Sequence, residues 1–381
     1  MHHPGNVQQA QNDGGRSVRA SLSKLGLGAS QFPAGPTTRG RPADAEVRDM
    51  LIATARAGLG FLDAGQSSPF AEQMLGAQLP RPTPFNLLIR SIRGDRGPDA
   101  AEAEVRGTLA RLRVTKARAV VVQSASDLFA PSGPALWQRL KELRDEGLFD
   151  QVGVSAYASD DPVGVARRFK PDLIQAPASL LDQRLLVDGS LMQVREMGVE
   201  VHLRSIFLNG LLFLPPDRVP AQLKGAAGRL SRARRMIAEG RSDPLQAALG
   251  FALSRPEADA VIVGASSAAE LSAVIAAASS PPPDLDWDEM ALDDLAAAFV
   301  PTLERLTPLL EMDDVQWPNA RLRRRVFIGD LTWPEPLTTS ARAVVFKGSK
   351  VVVVSQTDGL RHIQPGGGLE PGETIEAAVR R

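Results

Sequence analysis

The sequence predicts an α/β fold: a closed barrel of eight parallel strand-helix pairs, followed by the start of a smaller α+β unit. Three observations lead there. Short apolar runs alternate with stretches whose apolar residues recur every three or four positions, the rhythm of strands and amphipathic helices in turn. The glycine-rich turn that an open, doubly wound sheet would place after an early strand is incomplete, because Gly26-Leu27-Gly28-Ala29-Ser30-Gln31 has only the first two glycines. After Ala298 the rhythm breaks, and a strand-turn-strand pattern replaces it.

Eight apolar runs are the expected strands: Leu25 to Ala29, Leu59 to Asp63, Asn86 to Ser91, Ala119 to Ser124, Gln151 to Ser155, Leu173 to Ala176, Val199 to Ser205 and Ala260 to Gly264. Helical spacing covers Ala43 to Ala57, the segment opening at Pro69, Ala100 to Leu112, Leu136 to Glu146 and Leu191 to Met197. Trp287, Leu292, Leu295 and Leu303 fit closing helices. Trp317-Pro318-Asn319 and the basic run Arg321, Arg323, Arg324, Arg325 then read as a solvated linker. Beyond it, Ala341 to Phe346 and Lys350 to Val354 form a hairpin pattern about Gly348-Ser349. The expected organisation is a loose tail over 1–22, the barrel over 23–299, a closing helix and linker over 300–338, and the smaller unit over 339–381.

Composition narrows the function classes. Among 381 residues, Lys plus Arg and Asp plus Glu are each 44, so no global field favours nucleic acid or an anionic membrane, and any anion site is local. The absence of cysteine rules out disulfides, thiolate metal sites and a cysteine nucleophile, and agrees with a cytoplasmic setting. The first twenty residues are polar, without the apolar core of a signal peptide, and no later apolar run reaches membrane-spanning length.

Candidate chemistry lies where an acidic residue ends the second strand, at the carboxyl edge that carries active sites in such barrels. Several short motifs stand there in order: Leu62-Asp63-Ala64, Gly153-Val154-Ser155, Ile174-Gln175-Ala176-Pro177, Arg204-Ser205-Ile206-Phe207 and Val261-Ile262-Val263-Gly264-Ala265. With their spacing, the region from about Leu25 to Ala298 resembles the aldo-keto reductases, which implies a (β/α)8 TIM barrel and NADP(H) or NAD(H) lying across the strand ends. In that family an Asp, a Tyr, a Lys and a His set hydride transfer. Reducing a ketone creates an alkoxide, and the Tyr delivers the proton that neutralises it.

The resemblance places Asp63 at the Asp position, but Ser68 stands at the Tyr position and Gln123 at the His position. Near the third strand the cations are Arg90 and Arg93 rather than a lysine, and a guanidinium stays charged where the family's Lys tunes an acid. The only tyrosine, Tyr157, follows the fifth strand, and none of the four histidines lies on the fourth. For the cofactor, the resemblance implies Ser155 and Gln175 at the nicotinamide, Arg204 and Ser205 at the end of the seventh strand, and Gly264, Ser266 and Ser267 at a helix start able to receive phosphate. Ser266 replaces the Arg usual for a 2'-phosphate. A purely structural alternative has Asp63 paired with Arg90 or Arg204 as a cap on the barrel mouth. A functional one has the arginines, Ser68 and Gln123 converging on an anion-accepting pocket for a nucleotide or sugar phosphate.

At the far end, Gln364-Pro365-Gly366-Gly367-Gly368-Leu369-Glu370-Pro371-Gly372-Glu373 through Arg381 resembles the opening of a Nudix box, with Gly367, Glu373 and Arg381 on its first fixed positions. That family hydrolyses nucleoside diphosphates linked to another group, using Mg²⁺ held by glutamates on the helix after the loop. The principal metal-binding glutamates follow the Arg, so no metal site is complete by Arg381. The expectation is therefore an aldo-keto-reductase-like barrel without the usual proton donor, acting as a ligand-binding or scaffolding pseudoenzyme, fused to an incomplete α+β Nudix domain that supplies hydrolase chemistry. The alternative is an active NAD(P)-dependent oxidoreductase with a non-standard donor.

Overall fold

The computed structural model describes residues 21–32, 37–38, 41–65, 69–91, 96–214 and 227–292, together with short backbone segments between 310 and 368. The chain divides into two compact units, Met1–Phe299 and Val300–Arg381. Ser68 and Arg93 lie outside the described residues, as do Glu373 and Arg381.

The first unit is a closed, all-parallel barrel. Its strands are β1 (Leu25–Gly28), β2 (Phe61–Asp63), β3 (Asn86–Arg90), β4 (Ala117–Val122), β5 (Phe149–Ser155), β6 (Leu173–Pro177), β7 (Glu200–Arg204) and β8 (Ala260–Gly264). Each strand neighbours the next, and β8 closes on β1 with Leu27 opposite Val263. All eight expected strands are present, displaced by at most two residues at their ends.

Helices follow the strands: α1 (Ala43–Ala57), α2 (Pro69–Gln78), α3 (Pro98–Leu112), α4 (Gly133–Asp145), α5 (Pro162–Phe169), α6 (Ser190–Glu196), α7 (Pro244–Leu253) and α8 (Ala268–Ala278). A further helix, Ala227–Glu239, precedes α7. Proline opens α2, α5 and α7, where its missing N–H costs nothing. Where α2 meets α3 there is no room for a side chain: a Cβ on Gly76 would stand 2.2 Å from the Arg111 carbonyl oxygen.

Alternation along each strand sorts the side chains. Outward residues such as Leu62, Ile89, Val120, Val154 and Val263 join the large core between barrel and helices. Inward ones, Leu88, Ala119, Val121, Leu173, Ala260 and Ile262 with Phe61 against them, form a second, enclosed core. That interior is tight. A Cβ on Gly26 would approach Ile262 to 2.6 Å and Phe61 to 2.7 Å, and one on Gly153 would reach Leu173 at 2.5 Å. His202 is fully buried there, its ring edge-on to Phe61 at 5.1 Å.

The same parity carries polar residues to both ends. At the amino ends of the strands, Glu200 accepts from Gln151 Nε2 at 2.8 Å and Arg118 Nη2 at 2.9 Å, and His202 Nε2 lies 3.5 Å from it, outside hydrogen-bond geometry. The His202 ring, the Gln151 amide and the Arg118 guanidinium hold the Glu200 carboxyl below its ordinary range, against the burial that opposes them. At the carboxyl ends the same parity presents Asp63, Arg90, Ser155, Gln175 and Arg204.

In the second unit the backbone pairs in short antiparallel ladders. Leu310–Trp317 runs against Ala320–Val326, so the stretch expected as linker contains an antiparallel strand pair. Phe346–Lys347 and Lys350–Val351 pair across Gly348-Ser349, and Ser340–Arg342 pairs with Gly366–Gly368.

Candidate functional site

The mouth of the barrel holds two adjoining polar groups. In the first, Asp63 ends β2 with its side chain only 5% exposed, so its charge needs partners. Arg90, ending β3, donates from Nη2 to Asp63 Oδ2 at 2.8 Å. Gln175 on β6 donates from Nε2 to the same oxygen at 2.9 Å, and its own Oε1 accepts from Arg90 at 2.5 Å. The Gly65 amide donates to Asp63 Oδ1 at 2.9 Å. A closed triangle results, and it leaves the Gln175 carboxamide satisfied at both ends. Of the two arginines weighed as partners for Asp63, the structure selects Arg90.

In the second group, Arg204 donates from Nη2 to Ser155 Oγ at 3.0 Å, and its guanidinium lies 4.4 Å from the centroid of the Tyr157 ring. Its Nε is buried without a hydrogen-bond partner, and no carboxylate pairs with it among the described residues. The backbone just beyond is held in the left-handed region at Ser205 (φ 59°) and Leu208 (φ 45°), a conformation that costs a non-glycine residue and that clusters at ligand sites. Ser205 is exposed and its Oγ accepts from Arg204 Nη1 at 3.4 Å, whereas Gln123, half-buried just past β4, is in neither group. Asp63 and Arg90 cancel, whereas Arg204 has no carboxylate partner among the described residues.

The start of α8 differs from the expected phosphate cradle. Ser267 caps the helix, its Oγ accepting from Glu270 N at 3.2 Å. Glu270 Oε2 accepts from both the amide and the hydroxyl of Ser266, each at 2.8 Å. Glu46, from α1, accepts from the Ala268 amide at 2.7 Å. Two carboxylates thus fill the place where Gly264, Ser266 and Ser267 would meet an incoming anion.

These contacts test the fit of a nicotinamide dinucleotide. Ser155 and Gln175 are engaged with Arg204, Arg90 and Asp63 rather than free for a carboxamide, and the Ser266 and Ala268 donors at the start of α8 are occupied by protein carboxylates. The residues present do not fit the group as arranged. Among the described residues no cluster of His, Asp and Glu is placed to hold a metal ion, and no helix is long and apolar enough to cross a membrane.

Sequence reasoning missed two of the functional-looking residues here. Glu270 carried a signal, since Ser267-Ala268-Ala269-Glu270 is a capping-box pattern. Glu46 carried none, because it reaches the site from 222 positions away.

Comparison with known proteins agrees with the barrel. A search of curated proteins finds no match. Solved structures show the same fold. The holo form of aldo-keto reductase AKR11C1 from Bacillus halodurans is 20% identical over 71% of this chain and 90% of that chain, with a TM-score of 0.57. Its apo form is likewise 20% identical, over 71% and 89%, with a TM-score of 0.53. The model of the aldo/keto reductase family matches residues 24–292, the whole barrel from β1 past α8, and the chain therefore belongs to that family.

Proposed function

We propose that the barrel serves as a binding module for a small anionic ligand taken at its mouth, and that it has lost the proton delivery on which carbonyl reduction in its family depends. One observation carries the reading. The partners of Asp63 among the described residues are an amide N–H, a carboxamide and a guanidinium. None of the three releases a proton near neutral pH, so an alkoxide formed beside Asp63 would find no acid there. Arg204 supplies what an anion needs: a charge without a carboxylate partner among the described residues, on a half-buried side chain at the mouth.

The test is direct. Isothermal titration of the full chain with small carboxylates and sugar phosphates should give saturable binding that is lost in Arg204→Leu, while a panel of aldehydes and ketones with NADPH or NADH should give no oxidation at 340 nm. Turnover in that panel would sink the reading.

A second reading is favoured by the stacking of Arg204 on Tyr157, since a cation over the ring stabilises a phenolate. In it, Tyr157 replaces the usual acid in an active NAD(P)-dependent oxidoreductase. Turnover in the wild type abolished by Tyr157→Phe would establish it, and absence of turnover would dismiss it.

For the second unit, the Nudix resemblance supports a role in Mg²⁺-dependent hydrolysis of a nucleoside-diphosphate-linked substrate. The antiparallel pairing of Gly366–Gly368 with Ser340–Arg342 suits a glycine-rich loop leaving a sheet. Hydrolysis of a panel of such compounds, read by phosphate release with and without Mg²⁺, decides it.

A further inference from the structure

The amino end of α8 is an anion site with its anion already supplied by the chain. A helix start exposes amide donors and the positive end of its dipole, and attracts phosphate for both reasons. Here the donors of Ser266, Ala268 and Glu270 are taken. The Ser266 amide and hydroxyl point to Glu270 Oε2, the Ala268 amide points to Glu46 Oε1, and the Glu270 amide points to Ser267 Oγ. Glu46 is only 6% exposed and comes from a different helix, so its carboxylate is lodged in the site rather than passing over it. A phosphate arriving at the same place would have to displace two carboxylates or share their donors, and like charges in close contact oppose both.

We propose that Glu46 and Glu270 are specificity-determining residues that close the α8 end of the barrel to phosphate, so that the mouth excludes phosphorylated adenine nucleotides and admits only ligands short enough to stop at Arg204. The exclusion itself rests on α1 and α8 alone, and holds whatever occupies the mouth.

The experiment titrates the full chain with adenosine 2',5'-bisphosphate by isothermal calorimetry, with adenosine as the phosphate-free control. The wild type should show no saturable heat at millimolar nucleotide. Glu270→Ala should bind detectably, and Glu46→Gln/Glu270→Ala at least about tenfold more tightly than the single variant, a difference of about 1.4 kcal/mol. Adenosine should bind to none of them. Thermal melting checks that each variant is folded; should the double variant fail to fold, the exposed Glu270→Ala decides alone. Equal affinity of wild type and folded variants for the bisphosphate overturns the proposal, as does a folded Glu270→Ala that binds no better than wild type. Because the readout never involves Arg204, failure here is distinguishable from failure of the anion-binding reading at the mouth.

Discussion

The Asp63–Arg90 pair can be weighed by a double-mutant cycle. The side chains are 5% and 15% exposed and meet at 2.8 Å, so their attraction at an effective dielectric of about 20 is roughly 6 kcal/mol before desolvation is subtracted. Removing one partner strands the other. Asp63→Ala leaves Arg90 facing only Gln175, and also deprives Gln175 Nε2 and the Gly65 amide of their acceptor. Arg90→Ala leaves a buried carboxylate with neutral donors alone. Each single change should cost about 3–5 kcal/mol. At about 2–4 °C of melting temperature per kcal/mol, the shift is roughly 6–20 °C. The double variant removes both charges together and should cost about 2–3 kcal/mol less than the sum of the singles. Far-UV circular dichroism at 222 nm reads the barrel, because the described helices all lie within it. Strict additivity would refute the pairing and leave Asp63 free for another cation.

Three further outcomes follow from contacts already described. Gly76→Ala forces a methyl against the Arg111 carbonyl, and should destabilise by about 1–3 kcal/mol in urea titration despite the better helix propensity of alanine. Asp243 caps α7 by accepting from the amides of Leu245 at 2.8 Å and Gln246 at 2.9 Å, so Asp243→Ala should cost about 1 kcal/mol, measured the same way. Glu200 titrates below its ordinary 4.5, so it contributes stability that is present above that value and lost as pH falls through the folded-state pKa. The urea midpoint of Glu200→Gln should therefore lie below wild type at pH 7 and converge with it on acidification. A gap that stays constant or widens would contradict the assignment.

Much of the barrel was legible because its signals are local. The short apolar runs and the helical spacing both report burial within a few residues, and the helix Ala43–Ala57 falls where its spacing placed it. The mouth was half legible. Position at a strand end told that Asp63 and Arg90 would face the axis, but the choice between Arg90 and Arg204 depends on which strands are neighbours in the closed ring. Glu46 was beyond reach for the same reason: its role exists only once α1 and α8 stand side by side. The cation over Tyr157 was equally hidden, since nothing in local spacing links β7 to the loop after β5.

The narrow interior has an evolutionary corollary. With Gly26 pressed by Ile262 and Phe61, and Gly153 by Leu173, no methyl can be added at either glycine without trimming its neighbour on the next strand. Substitutions inside the tube should therefore arise in compensating pairs on adjacent strands, a larger residue at a glycine accompanied by a shorter one at its register partner, and chains that drifted by single steps would pass through overfilled intermediates.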